Sequence, residues 1–282
     1  MATPSRQSIL GGLRELDALR VAGDGVAEAR RDVVAVEEPL EIRLCGDPLA
    51  TTMRTPGQDH ELSAGFLFAE GLIASRDDLG SIAHCGRPGE DGYGNVIDVL
   101  PAPGTAFDLE RSRASRRGTL TTTACGVCGR RSIDDLVARV GTVEDETRLS
   151  RDVLRRLGAG LRDRQPAFQQ SGGLHAAGLS DAAGRYQCVR EDIGRHNAVD
   201  KVIGRWLLDD RLPAGGTILV VSGRASFEIV QKALCGGVPA LVSVSAPSSL
   251  AVQTAERGNM TLIGFARDGG FNVYTGAERV AA

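Results

Sequence analysis

Three short, almost wholly apolar runs in the last third of the chain, residues 217–221, 240–244 and 261–266, constrain the fold more than any other feature. Each is too short for a buried helix, and the stretches between them carry helical spacing at 226–234 and 249–256. Strands that are apolar on both faces belong to a sheet covered on both sides, and strand–helix alternation joins parallel strands. The expected class is therefore α/β, a layered domain on a mostly parallel sheet, closed by a turn-linked strand at 271–274.

Upstream the pattern differs. Residues 33–36, 40–44 and 50–54 read as strands, the first two paired across the Glu37-Glu38-Pro39 break. Asp59 is placed to cap a helix over 61–73, and 95–99 reads as a further strand. This makes a smaller α+β unit. Residues 103–118 are basic and poor in apolar side chains, as a linker would be. The division expected is a flexible leader at 1–30, an N-terminal α+β domain at 31–118 and a C-terminal domain at 119–282. Within the last, helices are expected at 133–140 (capped by Ser132), 152–161 and 197–208. Strands at 174–179 and 185–190 are joined by the hairpin signal Ser180-Asp-Ala-Ala-Gly184.

A net charge of -3 gives no global reason to expect nucleic-acid or membrane partners. No basic-then-apolar leader and no membrane-length apolar run is present, so the cytoplasm is the default expectation. Six cysteines are too few for a secreted disulfide scaffold. Cys45, Cys188 and Cys235 read as core packing and Cys85 stands beside His84; Cys125 and Cys128 alone are spaced for joint action.

In a sheet of this kind, ligands bind beyond the carboxyl ends of the strands. The residues there are Ser222-Gly223-Arg224, Ser245-Ala-Pro-Ser248 and Phe265-Ala266-Arg267-Asp268-Gly269-Gly270. Hydroxyls, helix-start amides and arginines suit an anion, and the phenyl ring suits a stacked base. Any βα loop uses Ser, Gly and Pro for turning, so the argument rests on three such loops at one edge. The run Glu191-Asp192-Ile193-Gly194-Arg195-His196-Asn197 crowds polar groups at a strand-to-helix junction. Asp192 or Asn197 can serve as a cap there, and His196 as a proton carrier or ligand donor. His175 invites the same two readings, structural or functional.

The thiols sit in Ala124-Cys125-Gly126-Val127-Cys128-Gly129, between arginines 111, 113, 116 and 117 on one side and 130 and 131 on the other. Three chemistries want such a pair: a metal, a cycling disulfide, or a persulfide carrier. Structural zinc needs four ligands, and no second pair accompanies this one. The zinc deaminases need a His-x-Glu, and Ala124 stands where their Pro would be. No resident metal is expected. A thioredoxin-like dithiol belongs after an early strand rather than in mid-chain. Nearby arginines and a helix start favour the thiolate, which serves redox pair and carrier equally. Those two remain open on physical grounds.

The chain resembles the FdhD family, the formate dehydrogenase accessory sulfurtransferases. The resemblance rests on Ala124–Gly129, Gly173-Leu-His-Ala-Ala177, Glu191-Asp-Ile-Gly-Arg-His-Asn-Ala-Val-Asp-Lys201 and Ser222-Gly-Arg224. It continues through Ser245-Ala-Pro-Ser-Ser-Leu-Ala-Val252 and Gly264-Phe-Ala-Arg267 with Asn272-Val-Tyr274, all in the family's order. It implies a cytoplasmic homodimer whose C-terminal domain is cytidine-deaminase-like without the zinc. It implies sulfur received as a persulfide from a cysteine desulfurase and delivered to the bis(guanine dinucleotide) molybdenum cofactor for formate dehydrogenase. Cys125 would be the persulfide carrier and Cys128 its partner, with the guanine nucleotide held by Phe265–Gly270. A molybdenum-cofactor chaperone without sulfur chemistry is the alternative.

Overall fold

The computed structural model describes residues 8–9, 11–90, 92–107, 141–267 and 269–281. Its strands are β1 Ser8–Ile9, β2 Leu13–Val21, β3 Ala27–Ala35, β4 Glu38–Leu44, β5 Asp47–Arg54, β6 Leu79–His84 and β7 Val96–Pro101. They continue with β8 Leu149–Ser150, β9 His175–Asp181, β10 Tyr186–Asp192, β11 Thr217–Val221, β12 Ala240–Ser243, β13 Thr261–Arg267, β14 Gly270–Thr275 and β15 Val280–Ala281. The α-helices are α1 Asp59–Ala69, α2 Arg151–Arg162, α3 Pro166–Ser171, α4 Arg195–Leu208, α5 Phe227–Cys235 and α6 Ser249–Arg257.

The apolar runs form the centre of a six-stranded sheet ordered β10-β9-β11-β12-β13-β14. β11, β12 and β13 are parallel, as their helical crossovers require, and the flanking pairs are antiparallel. All five residues of β11 are buried, because both faces are covered. One face carries α2, which packs Leu154, Leu157 and Leu161 with Ile218, Val242 and Ile263. The other carries α4, α5 and α6, with Val199, Val202, Ile229 and Ala255 in one cluster with Leu219 and Leu241.

The N-terminal strands form a separate four-stranded sheet, β5-β4-β7-β6, with α1 against it. α1 then meets α4 backbone to backbone. A Cβ added at Gly204 would lie 1.9 Å from the Glu61 carbonyl oxygen, and one at Gly65 would lie 2.0 Å from that of Asp200. Only glycine permits so close a crossing. Leu207 of α4 joins the N-terminal core while Trp206 joins the C-terminal one, so this helix belongs to both.

Several expectations are corrected. Part of the leader expected at 1–30 is a long antiparallel ribbon, with β2 paired to β3 around Gly25 at φ 83°. Its strands carry charges on both faces and are largely exposed, so no apolar period marks them in the sequence. Val33 and Val34 accordingly pair back onto β2, and β4 pairs with β5 and, in parallel, with β7. Asp59 is the first residue of α1 and not its cap. Its carboxylate instead takes two hydrogen bonds from the buried guanidinium of Arg54, each 3.1 Å. Cys45 is exposed in the β4–β5 turn at φ 52°, where the hairpin reverses. The boundary at 118 and the helix at 133–140 fall outside the described residues.

Candidate functional site

The carboxyl ends of β11 and β12 are bound to each other before any ligand is considered. Ser243 Oγ donates to the carbonyl of Gly223 at 2.7 Å, and the amide of Ser245 donates back to that hydroxyl at 3.1 Å. Ala225 and Pro247 form a parallel bridge, with Ala225 N–H donating to Ala246 O and Ser248 N–H to Ala225 O. The amide of Phe265 donates to Ser245 O at 3.1 Å and ties on the end of β13. A continuous ledge results, and the loops that sequence reasoning placed at one edge are in contact there.

Each residue of the ledge has a distinct place. Ser222 extends the β11–β9 ladder, its hydroxyl accepting from Ala176 N–H at 2.9 Å and its amide donating to Ala176 O. Gly223 is buried, and a Cβ there would lie 3.3 Å from His175 Nδ1 and 3.6 Å from Arg195 Cβ. Arg224 is exposed. Ser226 and Ser248 start α5 and α6, and Ser248 Oγ accepts from Ala251 N–H.

The third loop takes a different form from that expected. β13 runs to Arg267 and β14 starts at Gly270, so Phe265–Gly270 is the bulged end of a hairpin and opens no helix. The bulge holds Phe265 at φ 54°, left-handed backbone that a bulky residue occupies only under constraint. Arg267 is exposed with its guanidinium 6.0 Å from the Phe265 ring centroid. Ala266 is fully buried, and its carbonyl lies against Gly158 of α2, where an added Cβ would be 2.1 Å away. Gly269 has φ 79° and open space around its Cα, and Gly270 pairs with Arg267. Asp268 lies outside the described residues, as do Cys125 and Cys128.

The polar run at 191–197 divides by function. Glu191 caps α3, its carboxylate accepting from Ala167 N–H and Phe168 N–H at 3.1 and 2.7 Å. Asp192 is completely buried against Lys201 Nζ at 2.7 Å and accepts from the amides of Thr55 and Gly194. Asn197 Nδ2 donates to Asp192 Oδ1 and to Met53 O. These three are structural, and neither Asp192 nor Asn197 caps α4, whose N-cap is Gly194. His196 and Arg195 belong to the ledge. His196 Nε2 shares a hydrogen bond with Ser226 Oγ at 3.2 Å and lies 3.8 Å from Glu228 Oε2. Arg195 Nε is buried without a hydrogen bond.

His175 enters the site because β9 is antiparallel to β11, which puts its first residue at the carboxyl end of the parallel strands. Burial holds its imidazole below the ordinary 6.5, and the Arg195 charge adds to this while Asp192 opposes it. A neutral ring beside cationic Arg195 offers a hydrogen-bond acceptor without adding charge. Sequence reasoning weighed His175 and His196 singly. It missed Arg195, Ser226 and Glu228 as their neighbours, since pairing across thirty positions has no local signature.

The ledge thus gathers three arginines, Arg195, Arg224 and Arg267, around hydroxyls, helix-start amides and one aromatic ring. That set suits a phosphate-bearing nucleotide. Among the described residues, no group of three or more His, Cys, Asp or Glu is placed to hold a metal. Nor is any helix among them long and apolar enough to cross a membrane.

Comparison with known proteins bears on this geometry. The sequence model of the FdhD/NarQ family matches residues 35–281. A relative from Anaeromyxobacter dehalogenans, named sulfur carrier protein FdhD, is 51% identical over 276 residues, covering 96% of this chain and 94% of that one. Proteins of the same name from Streptomyces avermitilis and Mycobacterium tuberculosis are 47% and 48% identical, covering 92% and 89% of this chain and 92% of each relative. A crystal structure from Desulfotalea psychrophila, provisionally described as a formate dehydrogenase accessory protein, superposes with a TM-score of 0.74. It is 24% identical, covering 96% of this chain and all of that one, and it supports the fold.

Proposed function

The chain belongs to the FdhD/NarQ family, and we propose that it is a sulfur carrier that works through a persulfide on Cys125. The relatives' shared name, sulfur carrier protein, supports the general reading. The observation that carries the finer one is the ledge itself. A cationic, hydroxyl-rich edge with a constrained aromatic ring is equipment for a nucleotide-bearing anion, which is what a carrier delivering sulfur to such a cofactor needs.

In the first step the Cys125 thiolate attacks the terminal sulfur of a persulfide on a cysteine desulfurase. A new S–S bond forms on Cys125 as the donor's S–S bond breaks. The donor cysteine leaves as its thiolate, and the proton stays on the transferred sulfur. No external oxidant or reductant is needed. Flanking arginines 130 and 131 lower the cost of the attacking thiolate. The acceptor is the bis(guanine dinucleotide) molybdenum cofactor, bound as substrate. Ser222, Gly223, Arg224 and His196 together with Phe265–Gly270 would hold its nucleotide end while Cys125, partnered by Cys128, presents sulfur. Formate dehydrogenase is the recipient of the sulfurated cofactor.

The test is incubation with a desulfurase and cysteine, followed by peptide mass mapping. The expected result is one added sulfur on Cys125, lost in Cys125→Ala. If neither Cys125 nor Cys128 gains sulfur while a double Cys-to-Ala variant still restores formate dehydrogenase activity, the protein is a cofactor chaperone instead.

A further inference from the structure

Among the described residues of the ledge, Glu228 is the one acid that the architecture does not employ. Glu191 caps α3 and Asp192 holds Lys201. Glu228, in the first turn of α5, takes no hydrogen bond among the described residues, and its one ion contact there is His196 Nε2 at 3.8 Å. Its side chain is only 21% exposed, so it gives up much of its water, and none of the three arginines on the same ledge pairs with it. The α5 dipole favours a negative group at this position, but a fully exposed acid would gain the same.

The crossing between the first two parallel strands fixes where Glu228 sits. Ala225 bridges to Pro247 and donates to Ala246 O, so the chain leaving β11 turns toward β12 before α5 begins at Phe227. Arg195 stands on the β11 side of that crossing, against Gly223. Phe265 stands on the other side, at the end of β13, tied to Ser245. Neighbouring strands lie about 4.8 Å apart, so the ends of β11 and β13 are separated by about 10 Å. A nucleotide with its phosphates at Arg195 and its base on Phe265 spans that gap. Its sugar then falls between the two, at the level of Ser226 and Glu228.

We infer that Glu228 is a specificity-determining residue of the ledge, its carboxylate accepting a hydrogen bond from the ribose 2′-hydroxyl of the bound nucleotide. The inference rests on the nucleotide reading of the ledge and goes one step beyond it. An ionised carboxylate only accepts, and a sugar hydroxyl has a proton to donate. Such charge-assisted bonds are shorter and stronger than neutral ones. Dinucleotide-binding sheets place an acid on the ribose 2′-hydroxyl by the same chemistry. A carboxylate repels phosphate, so Arg195 and Glu228 suit different parts of one nucleotide. Ser226 and the His196 ring, 3.2 Å apart, flank the carboxylate and keep the sugar end of the ledge polar.

Calorimetry with GDP, 2′-deoxy-GDP and ADP tests it on the full chain and on Glu228→Ala and Glu228→Gln. The parent is expected to bind GDP about 10-fold tighter than 2′-deoxy-GDP, the scale of one hydrogen bond to a charged group. Glu228→Ala should weaken GDP by that factor and leave 2′-deoxy-GDP unchanged, so that the two affinities meet. Glu228→Gln keeps a neutral acceptor and should retain part of the preference. A parent that binds GDP and 2′-deoxy-GDP equally overturns the inference while the nucleotide reading stands. So does a Glu228→Ala variant that keeps the preference, or one that loses both ligands by the same factor. If Glu228→Ala narrows only the gap between GDP and ADP, the carboxylate reads the base edge and the ribose assignment is overturned. A parent that binds none of the three ends the nucleotide reading and the inference together.

Discussion

At the scale of single residues, the ledge sets a guanidinium beside an imidazole. Arg195 Nε is buried without a hydrogen bond, and the same guanidinium pushes the His175 pKa down. Removing that charge in Arg195→Gln should raise the His175 midpoint toward 6.5, as read by NMR titration of the imidazole. A depressed His pKa means the folded state binds a proton less readily than the unfolded chain. The associated stability is complete above the unfolded value and declines as pH falls through the folded one. Arg195→Gln should therefore weaken this acid-side loss of stability. An unchanged midpoint would mean that burial alone sets the value and that Arg195 has no electrical hold on the ring.

At the scale of elements, the close approach of α2 to β13 decides how the Phe265–Arg267 strand end, the proposed nucleotide contact, is held. Gly158 leaves room for the Ala266 carbonyl, and Ala266 follows the strained Phe265. Gly158→Ala forces α2 and β13 apart, at a cost of about 1–3 kcal/mol by the usual range for overpacking. The position of Phe265 and Arg267 should shift with it. Calorimetry with GDP should then show weaker binding along with a lower Tm. A lower Tm with unchanged GDP affinity would separate the helix contact from the ligand loop. The same scale explains what the sequence made legible. Buried strands β11, β12 and β13 announce themselves by composition, and α4 by its apolar spacing. The α3 helix does not, since it has no buried residue and its cap, Glu191, is supplied from more than twenty positions away. β2 and β3 carry charges on both faces and hide the ribbon. The ledge was legible as loops at one sheet edge, but His175 reached it through an antiparallel pairing that no short window encodes. The chemistry of Cys125 and Cys128 was legible only as a set of options until the family relationship narrowed them.

At the scale of the whole molecule, the two sheets are joined by buried ionic contacts as well as by the α1–α4 crossing. Lys201, almost wholly buried, ties Asp192 at 2.7 Å and donates to Thr55 O at 3.0 Å, so it bridges the end of β10 and the residue after β5. Arg190 Nε and Nη2 hold Glu61 of α1 at 2.5 and 2.8 Å. A buried pair adds little over an apolar replacement, but removing one partner leaves a bare charge, at a typical cost of about 3–5 kcal/mol. Lys201→Met should be destabilised by that amount in urea. Because α4 contributes Trp206 to one core and Leu207 to the other, neither sheet can lose it alone. Fluorescence of Trp206, the single tryptophan, and far-UV circular dichroism should therefore report one coincident transition in the parent. Separate transitions would show that the N-terminal sheet is an independent unit whose connection to the ledge is only mechanical. A single transition would mean that the ledge is held in place by the whole molecule, with Lys201 as one of the ties that make it so.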